Sequence, residues 1–120
     1  MLVVDDHAMV REGLRGILQN EPDMQIAGEA QDGLQAVMLT SELQPDVVLM
    51  DINMPKLDGV EATRRIKAAH SHIHVIGLSM HADERVILTM RDAGASDYVT
   101  KDHASDALCA SVRKCMRSVR

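Results

Sequence analysis

Residues 46–58 read DVVLMDINMPKLD. The apolar run 47–50 stops on Asp51, after which Asn53, Met54 and Pro55 turn the chain away. So short a run, closed off by polar and turn-forming residues, reads as a buried strand, most simply a parallel one covered on both faces. Asp51 then stands at the strand's carboxyl end, the edge where open α/β sheets gather ligands and chemistry. What decides the fold is whether the flanking sequence supplies more strands of this kind.

It does, on both sides. Leu2, Val3 and Val4 run into Asp5 and Asp6, a second apolar strand ending on carboxylates. Over 8–19, Val10, Leu14, Ile17 and Leu18 recur at helical spacing, and 20–23 (NEPD) break the helix. Residues 24–30 alternate weakly and predict a strand ending near Glu29. Asp32 caps a helix over 33–43 that should turn Leu34, Val37, Met38 and Leu43 inward. A helix over 59–69 follows the Asp51 strand through Val60, Ala62, Thr63 and Ile66. The second half repeats the unit. A strand over 74–78 ends on Ser79, and a helix over 83–93 is closed by Gly94, suited to a left-handed cap. A short strand over 97–100 is followed by Lys101, and a last helix over 104–119 carries Leu108, Val112, Cys115, Met116 and Val119. Five strands alternating with five helices predict a doubly wound α/β domain with a five-stranded parallel sheet, and 120 residues are enough for one such domain.

Composition narrows the function. Tyr98 is the only aromatic residue, so stacked bases and aromatic cages are disfavoured. A formal net charge of -5 speaks against nucleic-acid binding by these residues themselves. No apolar run is long enough to span a membrane and no signal peptide is evident, so a cytoplasmic location without membrane contact is expected. Cys109 and Cys115 lie six apart in one predicted helix, a spacing that fits two reduced thiols.

Parallel strands joined by right-handed crossovers point the same way. Asp5, Asp6, Asp51, Ser79 and Lys101 therefore all emerge on one edge. Three carboxylates brought together repel one another unless a cation sits among them, and Mg²⁺, a hard ion satisfied by a few carboxylates and water, fits that donor set. Helix capping alone would give no use for the adjacent pair. A carboxylate can attack a phosphoryl group, while a metal, an ammonium and a hydroxyl hold the peripheral oxygens. Asp51 is the candidate nucleophile because its strand is the most enclosed, and the Asn53 carbonyl can face the same metal. Lys101 and Ser79 would each hold a phosphoryl oxygen.

Four segments, VVDDH at 3–7, VVLMDINMPKLDG at 47–59, GLSMH at 77–81 and YVTKD at 98–102, give the chain a resemblance over its whole length to the receiver domain of bacterial two-component response regulators. The resemblance implies a flavodoxin-like three-layer (βα)5 fold with strand order 2-1-3-4-5. It implies Asp51 as the phospho-accepting aspartate, Asp6 as a direct Mg²⁺ ligand and Asp5 as one acting mainly through water. Ser79 stands at the family's switch hydroxyl, Tyr98 at its switch aromatic and Lys101 at its lysine. Such receivers take phosphate from a sensor histidine kinase, lose it by slow hydrolysis, and act as switches rather than enzymes. The opening DDHAMVREGLRGIL, with GLSMH and YVTKD, is similar to receivers joined to a C-terminal LuxR-type helix-turn-helix domain. A receiver over 1–120, a DNA-binding output domain beyond it, control of transcription and a homodimer on phosphorylation are what this implies. Asp102 replaces the proline common after the lysine, which makes a cis peptide there unexpected.

Other classes stay open beside this one. An interaction module that works without phosphorylation would not need the full set Asp6, Asp51, Ser79 and Lys101. A phosphohydrolase with an aspartyl-phosphate intermediate would carry a second Asp where Asn53 stands, and no GxxxxGK loop suggests a GTPase. Tyr98 could equally be a half-buried edge-strand aromatic. Arg113, Lys114, Arg117 and Arg120 read as a solvated helix face near a carboxyl terminus. His70, His72 and His74 alternate, a spacing zinc could use, but exposed loop histidines are expected. His7 and His81 fall near the active edge, as gates of access to Asp51 or as rim residues.

Overall fold

The computed structural model describes residues 1–52, 54, 57–80, 83–101 and 104–117. Along the chain run β1 (Leu2–Val4), α1 (Ala8–Gln19), β2 (Gly28–Ala30), α2 (Gly33–Leu43), β3 (Val47–Asp51), α3 (Gly59–Ala69), β4 (His74–Ser79), α4 (Glu84–Asp92), β5 (Asp97–Thr100) and α5 (Ala104–Met116). The strands form one sheet in the order β2-β1-β3-β4-β5, every pairing parallel. β3 lies at its centre, buried throughout, as expected for a strand covered on both faces.

Because side chains alternate across a strand, each strand feeds two cores. Val3, Leu49, Ile76 and Leu78 pack with Leu14 and Leu18 of α1 and Leu108 and Val112 of α5. Leu2, Val4, Val48, Met50 and Val75 pack on the other face with Ala36 of α2, Ala62 and Ile66 of α3 and Met90 of α4. Polar caps start the helices at the edge that matters: Asp32 accepts from the Gln35 N–H, Asp58 from the Glu61 N–H and Asp83 from the Arg85 N–H. Gly94, with φ of 111°, ends α4, where the Ala95 N–H reaches back to the Met90 carbonyl at 2.9 Å. Cys109 and Cys115 are free and buried, and burial pushes both thiols up.

Two expectations need correction. The second strand begins at Gly28, not at residue 24, because its partner β1 offers only Leu2–Val4 to pair with. In α2 the inward face is made of Gly33, Ala36 and Thr40; of the four residues expected inward, Val37 packs partly buried against the core, while Leu34, Met38 and Leu43 are 50%, 57% and 41% exposed. The helix sits too close to its neighbours for large side chains. A Cβ on Gly33 would stand 2.7 Å from the backbone carbon of Leu57 and still nearer its oxygen. Apolar spacing in α2 was therefore a poor guide to its rotation, whereas Leu108, Val112 and Cys115 of α5 are buried as expected. Val119 lies outside the described residues.

Candidate phosphoryl-acceptor site

The carboxyl ends of β1, β3 and β5 converge. Asp5 follows β1, held by a backbone bond from its N–H to the Ala30 carbonyl at 3.1 Å, and is wholly buried. Asp51 closes β3 and is 4% exposed. Lys101 follows β5 and reaches over the end of β4 to both acids, its Nζ 2.6 Å from Asp5 Oδ2 and 3.0 Å from Asp51 Oδ1. Burial pushes the Asp51 carboxyl above the ordinary carboxylate range. The Lys101 hydrogen bond opposes this shift and the Asp5 charge adds to it. Burial works against the Lys101 charge too, but its bonds to Asp5 and Asp51 outweigh that and raise its pKa. One ammonium is thus shared between two buried carboxylates, with a third alongside.

That third is Asp6. Its Oδ1 is buried without a hydrogen-bond partner among the described residues, and His7 Nδ1 stands 3.0 Å away without hydrogen-bond alignment. Oxygens of Asp5, Asp6 and Asp51 and a nitrogen of His7 lie within 4.8 Å of one another, the one such cluster among the described residues. An orphaned carboxylate oxygen beside two more acids is a donor set that suits a hard divalent cation. The Mg²⁺ expected from the sequence therefore fits these residues on chemical grounds.

The other predicted residues fall as follows. Ser79 ends β4, one step beyond Leu78, the residue in register with Asp51, and is half-buried. Tyr98 pairs with Gly77 across β4 and β5, half-buried against the α4-side core, and a Cβ on Gly77 would meet its ring at 3.3 Å. Asn53 and His81 lie outside the described residues, as does Arg120. His70 and His74 point to different partners, Ser41 at 3.2 Å and Ser96 at 2.8 Å, so the three alternating histidines do not share one site, although the His70 and His72 rings meet edge-on with centroids 6.2 Å apart. Arg113 is half-exposed as expected of a solvated face, but pairs with Glu21 at 2.6 Å and Asp23 at 3.2 Å.

Two supports escaped the sequence. Arg11 donates to the Asp5 carbonyl at 2.7 Å while its Nε sits 3.3 Å from Glu29, bracing the acid pair from α1. Gly59 opens α3 against the backbone of Asp51, where a Cβ would lie 2.8 Å from Ile52 Cα. An arginine four residues after His7 on a predicted helix, and a glycine after a capping Asp, were the available signals.

Among the described residues no helix is long and apolar enough to cross a membrane. Residues 1–113 match the family model for the response regulator receiver domain. The transcriptional regulatory protein DegU of Brevibacillus brevis is 42% identical over 113 residues, 94% of this chain and 48% of that protein. A LuxR-family two-component response regulator from Aurantimonas sp. superposes with a TM-score of 0.93 at 34% identity, covering 99% of this chain and 85% of that one. The CheX–CheY–BeF3–Mg²⁺ complex of Borrelia burgdorferi matches with a TM-score of 0.89 at 27% identity over 96% of this chain and 87% of that chain. The chain spans about half the length of the curated relatives it matches. With the sheet order, the buried acids and the family model in agreement, the chain belongs to the response regulator receiver domains, signalling modules rather than enzymes in the usual sense.

Proposed function

We propose that this receiver accepts a phosphoryl group on Asp51 from a phosphohistidine of a sensor histidine kinase. The observation that carries the reading is the Lys101 ammonium bound to both Asp5 and Asp51 beside an Asp6 oxygen that has no hydrogen-bond partner among the described residues. An Asp51 oxygen bonds to phosphorus as the donor's phosphorus–nitrogen bond breaks, the electron pair leaving on the imidazole. Lys101 and the Ser79 hydroxyl hold the oxygens of the arriving group, and Lys101 needs only to shift from carboxylate to phosphoryl oxygen. Asp6 and Asp51 would hold Mg²⁺, together with the Asn53 carbonyl that the resemblance implies and with Asp5 acting through water, and the ion would supply further positive charge to those oxygens. The drawing-in of Ser79 frees space beside β5 for the Tyr98 ring and alters the α4–β5–α5 face.

That face would control an output domain beyond residue 120. The transcriptional regulatory proteins of about twice this length, DegU among them, support a role in transcription, which a DNA-binding partner domain, a cytoplasmic location and a phosphorylation-dependent homodimer would serve. The test is intact-mass spectrometry after incubation with a small acyl phosphate, with Mg²⁺ or chelator. A gain of about 80 Da that needs Mg²⁺ and vanishes in Asp51→Ala is expected. No gain under any condition would refute the reading in favour of a phosphorylation-independent interaction module.

A further inference from the structure

His7 is the residue near the acids that phosphotransfer leaves without a task. Its backbone N–H donates to Asp5 Oδ1 at 2.9 Å, which turns the side chain back over the acid pair. The ring nitrogen Nδ1 then lies 3.3 Å from Asp5 Oδ1 and 3.0 Å from Asp6 Oδ1. Lys101 occupies the other Asp5 oxygen, so the ammonium and the imidazole approach the acids from different sides.

Those separations have a meaning beyond ion pairing. Two donors held by one cation at about 2.0–2.2 Å, at tetrahedral to octahedral angles, stand roughly 2.9–3.5 Å from each other. Nδ1 keeps that spacing to oxygens of both Asp5 and Asp6. Among the described residues the Asp6 oxygen it approaches has no hydrogen-bond partner, so its lone pairs remain available. The ring is 69% exposed, which leaves a path for an ion from solution. Mg²⁺ gains little from such a nitrogen, because it prefers oxygen and keeps its waters. Co²⁺, Ni²⁺ and Zn²⁺ bind imidazole well and surpass magnesium-like hard ions at mixed nitrogen and oxygen sites.

We propose that His7 is a nitrogen ligand through which the same acids hold a divalent first-row transition cation in competition with Mg²⁺. His7 thereby sets the metal preference of the site. The inference rests on the Mg²⁺ site proposed above. It also makes the transition cation a competitor for the carboxylates that phosphotransfer uses.

The probe is Co²⁺, titrated into the 120-residue chain with visible absorption and calorimetry as readouts, alone and against excess Mg²⁺. Only Co²⁺ that Mg²⁺ displaces is counted, which sets aside binding at His70 or His72. Losing even an outer-shell partner of a metal ligand costs about 10–100-fold in affinity. His7→Ala and His7→Gln should therefore lower the ratio of Co²⁺ to Mg²⁺ affinity at least about tenfold. Their Mg²⁺ isotherms serve as the internal check that the fold persists. Absence of any Co²⁺ binding that Mg²⁺ displaces, or an unchanged affinity ratio in both variants, overturns the role of His7. Failure of the underlying reading looks different: Asp6→Asn would then leave Mg²⁺ affinity at its original value.

Discussion

Gly59→Ala tests how closely the helix start must approach the end of β3 that carries Asp51. Gly59 is buried at the first position of α3, its N–H donating to the Ile52 carbonyl at 2.9 Å. An alanine Cβ there would stand 2.8 Å from Ile52 Cα, 2.9 Å from the Asp51 carbonyl carbon and nearer still to its oxygen. Carbon atoms in contact settle at about 3.5–4.0 Å, so the helix start or the strand end must retreat by roughly 0.7 Å or more. Both obstructing groups are backbone, which cannot rotate aside. Overpacking of this kind costs about 1–3 kcal/mol. It also displaces Asp51 relative to Lys101, and a misplacement near 1 Å at a reacting group can cost about 100-fold in rate. Thermal unfolding should show the loss of stability, and the rate of phosphate uptake from a small acyl phosphate, followed by intact mass, should fall by one to two orders of magnitude. A Gly59→Ala chain that melts and takes up phosphate like the parent would refute the claim that this contact positions the acid.

Other perturbations bear on different parts of the molecule. Lys101→Met leaves Asp5 and Asp51 buried without their shared ammonium, so denaturant unfolding without divalent ions should show a loss of about 3–5 kcal/mol; unchanged stability would mean that the pair is not held as described. Thr40 is fully buried and its Oγ1 has no partner among the described residues. Thr40→Val should therefore stabilise the fold by about 1–3 kcal/mol, read as a raised denaturation midpoint at constant slope, and a lowered midpoint would count against it. Burial holds the His74 imidazole below its ordinary pKa, with the Lys67 charge adding to the shift and Asp46 opposing it. Its neutral form is thus favoured in the fold. The stability this gives is present above about pH 6.5 and is lost as pH falls through the lower folded value. His74→Gln should flatten the stability profile between about pH 7 and 5, and an unaltered slope would show that His74 does not contribute to it.

The sequence by itself determined the class of fold and that Asp5, Asp51 and Lys101 meet at one edge of the sheet. Apolar runs at 2–4, 47–50 and 74–78 are too short for helices and too apolar for exposed strands, and each ends on a polar group. Parallel connection then obliges Asp5, Asp51 and Lys101 to share an edge. Periodicity served well in α5, where large residues fill space beside the sheet, and failed in α2, where close approach selects Gly33, Ala36 and Thr40. Packing distance between elements has no local signature, so only the tertiary structure could decide which face of α2 turns inward. The same holds for the division of labour among the acids. DDH is a string of three adjacent polar residues, and only the fold gives Asp5 to Lys101, leaves an Asp6 oxygen without a hydrogen bond among the described residues and brings the His7 ring beside it. Long-range contacts such as Lys101 with Asp51, or Arg11 with the Asp5 carbonyl, depend on where crossovers deliver the chain, and that is a property of the packed sheet rather than of any stretch of residues.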